Sequence, residues 1–172
     1  MGTVRLNEVI TKMNLENLTP QIDVTKIKIR QPDINRPAVQ MTGYFEHFAA
    51  GRIQIIGLVE YSYMQQMTQE QKDSIYNKFL SLDIPCVVFC RELEPDETFR
   101  KCALENGVPL LMTRNATSNF MSEIIRWLNV RLAFLVIRSG TPFSSAHFLN
   151  VSSGSSSLQN TTHGMSSERN LL

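Results

Sequence analysis

The sequence predicts an α/β layered fold in which a mainly parallel sheet is flanked by helices. Three observations carry this. Short apolar runs alternate with amphipathic stretches of about 10–15 residues, the pattern of strand–helix–strand units. One run, Pro85-Cys86-Val87-Val88-Phe89-Cys90, is apolar without a break, as a strand covered on both faces must be. The alternation then stops near Phe134, and residues 135–172 hold ten of the fifteen serines but only three charged residues, Arg138, Glu168 and Arg169. The folded unit is expected over 1–134, with 135–172 a disordered tail too poor in apolar residues to offset the entropy of ordering it.

Taken in order, Ile27-Lys28-Ile29-Arg30 alternates with period two and reads as a half-exposed first strand. Gln31 to Pro37 is a Pro-punctuated loop. Arg52 to Gly57 is a second strand that stops at glycine, and Glu60 to Met67 reads as helix. Thr68-Gln69-Glu70-Gln71 has the form of a capping box, in which hydroxyl and amide satisfy each other's backbone N–H. The helix behind it sets Ile75, Phe79 and Leu82 on one face. Pro95 at a first turn, Asp96 and Glu97 behind it, and Gly107 past the end delimit the next helix, with Phe99, Cys102 and Ala103 inward. Pro109 to Met112 is a fourth, short strand. A final helix from about Ser118 to Leu132 turns Met121, Ile124, Ile125, Leu128 and Leu132 to the core.

Composition excludes several function classes. A net charge of +1 with no block of Lys and Arg argues against nucleic-acid binding. No apolar run approaches a bilayer span, so no membrane helix is expected, and Met1 to Ile10 lacks the apolar stretch of a secretion signal. Three cysteines suit a reducing cytoplasm. Cys86 and Cys90 would stand about 13 Å apart on a strand, beyond disulfide reach, and with Cys102 they read as core thiols. His47, His147 and His163 are scattered, and no pair of ligand pairs spells a metal site. Glu92, Glu94, Asp96 and Glu97 could be carboxylates for acid–base work. Their place at a helix start is explained more simply by the helix dipole. Phe120 and Trp127 could stack a ligand, though helical aromatics usually pack. The carboxyl ends of parallel strands are the usual ligand position; here they are Gly57–Glu60, Arg91–Glu94 and Thr113–Ser118, where Arg91, Arg114, Thr117 and Ser118 could hold an anion. Capping and surface charge explain the same residues, and no catalytic, cofactor-binding or metal-ligating residue is assigned.

The most specific stretch is Asn35-Arg36-Pro37-Ala38-Val39-Gln40-Met41-Thr42-Gly43-Tyr44-Phe45-Glu46-His47-Phe48, followed by Arg52-Ile53-Gln54-Ile55-Ile56-Gly57. It resembles the N-terminal domain of bacterial HPr kinase/phosphorylase. Leu93-Glu94-Pro95, Val108 to Leu111 and Thr117-Ser118 agree with that family in order, and the resemblance covers residues 4–134. Ala38 departs from the family's usual glycine. The resemblance implies a fold like that of Mur-ligase N-terminal domains. It also implies a cytoplasmic hexamer that phosphorylates a serine of HPr with ATP or pyrophosphate and Mg²⁺, reverses this with phosphate, and so controls carbon use. In that family a Gly-rich P-loop ending in Lys-Ser follows, cradling phosphates with backbone N–H groups and one lysine. This sequence has no lysine after Lys101, and Ser153-Gly154-Ser155-Ser156 and His163-Gly164 do not replace the motif.

The sequence therefore supports an N-terminal, non-catalytic domain separated from its kinase half, with no cofactor in this chain and HPr and a homo-hexamer as family partners. A free-standing regulatory module binding an anionic metabolite or a partner protein is the alternative. An independent enzyme is weakest, because no nucleophile–base pair appears.

Overall fold

The computed structural model describes residues 2–138. The reading of the tail beyond them, with His147 and His163, lies outside the described residues. Seven strands and five helices follow in the order β1 (Val4–Arg5), α1 (Leu6–Met13), β2 (Glu16–Asn17), β3 (Lys28–Ile29), β4 (Ile34–Asn35), β5 (Ile53–Ile56), α2 (Leu58–Gln66), α3 (Gln69–Leu80), β6 (Val87–Phe89), α4 (Glu97–Asn106), β7 (Leu110–Met112) and α5 (Thr117–Arg138).

Five strands form one sheet in the order β2-β7-β6-β5-β4. β4, β5, β6 and β7 run parallel, and β2 closes the β7 edge antiparallel. β6 is central, as its unbroken apolar run requires. Its side chains alternate between two cores. Cys86, Val88 and Cys90 face α5, α1 and the Val4 region, whereas Val87 and Phe89 face the layer of α3 and α4. The α/β reading with a mainly parallel sheet holds.

Several expectations need correction. Ile27–Arg30 contributes no strand to the main sheet: β3 pairs antiparallel with β1 in a separate two-stranded ribbon. A period-two pattern fixes which face is buried, not which strand is the neighbour. The loop from Gln31 to Pro37 contains β4, whose edge position needs only one partner. Pro95 precedes the helix, and Asp96 is the N-cap, its Oδ1 accepting from the Phe99 N–H at 2.9 Å. Gly107 ends α4 at φ 68°, in the left-handed region that glycine enters without strain.

The capping box is present: the Thr68 N–H donates to Gln71 Oε1 at 2.9 Å and the Gln71 N–H to Thr68 Oγ1 at 3.3 Å. On α3, Phe79 is buried as expected, while Tyr76 and Leu80 are buried ahead of the half-buried Ile75. Helix α5 begins at Thr117 and continues past Leu132 to Arg138. Leu135 explains the extension, because it packs on the core, and a Cβ added at Gly2 would come within 2.9 Å of its Cβ.

The segment that carries the resemblance folds back on the sheet as a 3-10 turn, Gln40–Thr42, and an aromatic hook. Phe48 lies 5.6 Å from Phe79 and 6.1 Å from Phe45, ring centre to ring centre, and Lys78 sits 4.7 Å over the Phe45 ring. Phe45 and Phe48 therefore dock on α3, while Tyr44 stays half-exposed. Gln54 is buried in β5, and its amide is satisfied by Asn35 Nδ2 at 2.8 Å and the Arg52 carbonyl at 2.8 Å.

Candidate functional site

The carboxyl ends of β4, β5 and β6 meet the N-termini of α2 and α5. Only Gly57 separates β5 from α2. Its N–H donates to Glu60 Oε2 at 3.0 Å, so Glu60 caps the helix that contains it. Glu60 is 2% exposed and accepts a second hydrogen bond on the same oxygen from Arg36 Nη2 at 2.7 Å. Arg36 directly follows β4, so the ion pair clasps neighbouring strands.

The end of β6 is bent sharply. Arg91 and Glu92 stand at φ 61° and 55°, two successive non-glycine residues in the left-handed region. Such residues cost roughly 1–3 kcal/mol each and persist where the surroundings hold them. Here the Arg91 N–H donates to the Asn115 carbonyl at 3.1 Å and the Glu92 N–H to the Thr113 carbonyl at 3.0 Å. The bend thereby fixes the loop that leads into α5.

Thr117, the first residue of α5, turns its side chain onto Cys90 and Gly57. A Cβ on Gly57 would come within 2.8 Å of Thr117 Oγ1 and 3.2 Å of Arg36 Nη2. Burial pushes the Cys90 thiol up to about 11, against the opposing pull of a Thr117 hydrogen bond and the Arg36 and Arg91 guanidinium groups. At neutral pH it is a thiol and no nucleophile. Burial also raises Cys86 and Cys102, and all three cysteines are free and buried.

The structure does not gather the four residues expected to hold an anion. Arg114, its side chain 90% exposed, is paired with Glu92 at 2.9 Å. Arg91 and Ser118 are exposed, and Thr117 points inward at Cys90. The group that does assemble is Arg36, Gly57, Glu60, Cys90 and Thr117. Sequence reasoning set Gly57–Glu60 at a strand end but gave Arg36 and Glu60 no part in a site, although Glu60 is the only acid of α2 and stands three residues after its glycine. A carboxylate of the chain already occupies the place at the α2 N-terminus that an external anion would take.

Two larger cavities lie elsewhere. One of about 620 Å³ is lined by Lys12, Glu16, Thr113, Arg114 and Glu123 beside the β2–β7 edge. Another of about 650 Å³ lies at the opposite ends of the strands, against Lys28, Arg30 and Asp83. His47 is exposed. Phe120 is buried and Trp127 is half-buried against the core. Glu97 stands in the first turn of α4, where the dipole favours it. Among the described residues no group of three His, Cys, Asp or Glu could hold a metal ion, and no helix is long and apolar enough to cross a membrane.

Comparison with known proteins decides what this closed cluster belongs to. The family described as HPr Serine kinase N terminus matches residues 4–128, from β1 well into α5. The chain belongs to that family. It is 52% identical over 133 residues to the HPr kinase/phosphorylase of Lachnoclostridium phytofermentans, covering 77% of this chain and 43% of the relative. The HPr kinase/phosphorylase of Caldicellulosiruptor bescii is 37% identical over 136 residues, 79% of this chain and 44% of the relative. That of Streptococcus thermophilus is 34% identical over 131 residues, 76% and 42%. The chain thus spans less than half the length of the curated relatives it matches. At the carboxyl end of β5 the Gly57 N–H is already taken by Glu60.

Proposed function

We propose that this HPr kinase family chain serves as a non-catalytic domain of an HPr kinase/phosphorylase and does not phosphorylate HPr alone. The observation that carries this reading is the occupied strand ends. In an open parallel sheet a phosphate would sit there, and Glu60, buried and bonded to both Arg36 and the Gly57 N–H, stands in its place. The sequence adds that no lysine follows Lys101 to serve a P-loop. On this reading the reaction belongs to residues outside these 172. It consists of ATP- or pyrophosphate-dependent phosphorylation of an HPr serine, with Mg²⁺, and the reverse phosphorolysis. HPr, a hexameric assembly, a cytoplasmic location and carbon regulation belong to the same proposal.

The test is a phosphorylation assay of the purified chain with HPr, ATP and Mg²⁺, run beside the full-length relative from Lachnoclostridium phytofermentans. Phosphoserine is expected on HPr with the relative and not with this chain. Turnover by this chain, abolished in no buffer control, overturns the proposal.

A further inference from the structure

The ribbon of β1 and β3 leaves one edge of β3 unpaired. Its register sets Val4 opposite Ile29 and Arg5 opposite Lys28, and the Leu6 N–H donates to the Ile27 carbonyl at 2.9 Å. In an antiparallel pair, residues bonded to the neighbouring strand alternate with residues whose N–H and C=O turn away from it. Ile27 and Ile29 are thus the bonded positions, and the backbone of Lys28 and, by the same parity, of Arg30 turns outward. No backbone group of the described residues bonds to either from that side. The same period sorts the side chains. Ile29 is buried and Ile27 half-buried, whereas Lys28 and Arg30 are exposed, and neither is paired with an acid of the described residues. This edge forms one wall of the cavity of about 650 Å³ at the amino ends of the strands, with buried Ile84 and Val108 on the other. Asp83 is the one acid among the lining residues, against Lys26, Lys28 and Arg30, and Lys26 is held by Asp23 at 3.3 Å.

We propose that this edge takes an extended segment of a partner protein as a third strand, with acidic residues at alternate positions beside Lys28 and Arg30. Strand addition joins the outward N–H and C=O groups to the incoming main chain, and the side chains choose the partner. Alternate residues of a strand stand about 6.7 Å apart, so acids two positions apart repeat in step with Lys28 and Arg30. Neighbouring strands lie about 4.8 Å apart, which brings opposed charges into direct contact. Residues between the acids fall on the face of Ile27 and are apolar. The two cations repel a second β3, so the edge is closed to its own copy and open to an acid. A single-stranded nucleic acid offers charge but no ladder of N–H and C=O, and no aromatic residue lines the cavity for a base to stack on. The inference rests on the ribbon alone and is independent of the catalytic proposal.

Fluorescence anisotropy of the full chain with a labelled peptide, Glu-Val-Glu-Val-Glu, tests it. Saturable binding is expected, weakening as salt rises because the charges are exposed. Lys28→Glu and Arg30→Glu together should weaken it about tenfold or more with an unchanged thermal melt, since both side chains face solvent. The same peptide methylated at every backbone nitrogen keeps its charges, loses its N–H donors and should not bind. In the wild-type complex, hydrogen exchange at the Lys28 and Arg30 amides should slow. That measurement decides the matter even if the doubly reversed variant fails to fold. No binding at millimolar peptide, equal binding of the methylated peptide, or unchanged exchange at both amides overturns the proposal. So does binding indifferent to the charge reversal, or tighter binding of a single-stranded oligonucleotide of matched charge.

Discussion

Replacing Gly57 by alanine tests whether the strand ends are closed by contact. The φ of Gly57 is −103°, which any residue can adopt, so the cost cannot come from backbone strain. It must come from space. The added Cβ meets Thr117 Oγ1 at 2.8 Å and Cγ2 at 3.1 Å, and Arg36 Nη2 at 3.2 Å. The guanidinium is the far end of a long side chain and can yield. Thr117 is short, begins α5 and is bonded to Cys90, so moving it strains the junction. Overpacking of this kind costs about 1–3 kcal/mol, and alanine in place of glycine at an N-cap adds up to about 1 kcal/mol. Gly57→Ala should therefore lose about 1–4 kcal/mol, read as the urea midpoint at constant slope. Thr117→Ala removes both contacting atoms. The double variant should be more stable than the sum of the singles by about 1–2 kcal/mol, whereas independent sites add within about 0.5 kcal/mol. An additive double variant refutes the reasoning, because the cap penalty alone would survive it.

Three further outcomes follow from the packing and the charges. Phe48→Ala should cost about 2–4 kcal/mol and Tyr44→Ala almost nothing, because only the first ring docks on Phe79; unchanged unfolding midpoints for both Phe45→Ala and Phe48→Ala would sink the hook. Cys86 and Cys90 should react slowly with a thiol reagent in the folded chain and quickly on unfolding, since burial holds both thiols protonated; rapid native labelling at either would mean β6 is not central. Glu8 is held below its usual 4.5 first by its hydrogen bond to Arg131, so its contribution is complete above that value and is lost as pH falls through the lowered folded one. Both side chains are about a third exposed, so wild type should exceed Glu8→Gln by no more than about 1 kcal/mol at neutral pH and match it in acid; a gap that widens on acidification contradicts the pairing.

The fold was legible where one residue type has one physical use. The apolar run of β6, the Thr68–Gln71 box and the Gly107 stop all stand where the pattern put them, because burial on two faces, reciprocal capping and a left-handed turn each admit few alternatives. Strand partnership was not legible. Ile27–Arg30 and Ile34–Asn35 have similar local patterns, yet one joins a ribbon with Val4 and the other edges the main sheet. That choice depends on loop paths that no local spacing encodes. The two-residue β1 and β2 carry no periodicity to read, whereas α1 does, with Leu6, Val9 and Met13 on one face, and it was passed over. The expected anion group was not legible in its contacts: Arg114 pairs outward with Glu92, while Arg36 and Glu60, 24 positions apart, meet across β4 and β5.

The Arg36–Glu60 pair also bears on whether this end of the sheet could take an anion after a modest rearrangement. An incoming phosphate would compete for the same two donors that Glu60 uses, the Gly57 N–H and the Arg36 guanidinium. Displacing Glu60 leaves a carboxylate that is 2% exposed with no partner, and stranding one member of a buried pair costs about 3–5 kcal/mol. Arg36 is itself 39% exposed, so part of that cost is relieved by water, but the local negative charge of Glu60 remains beside the ligand. The guanidinium would have to recover the lost pair before it contributed any affinity. The usual binding place of this architecture is thus used here to join β4, β5 and α2, with Thr117 packed on Gly57 and the bend at Arg91 and Glu92 holding the loop before α5. The junction also orients α5, which starts at Thr117.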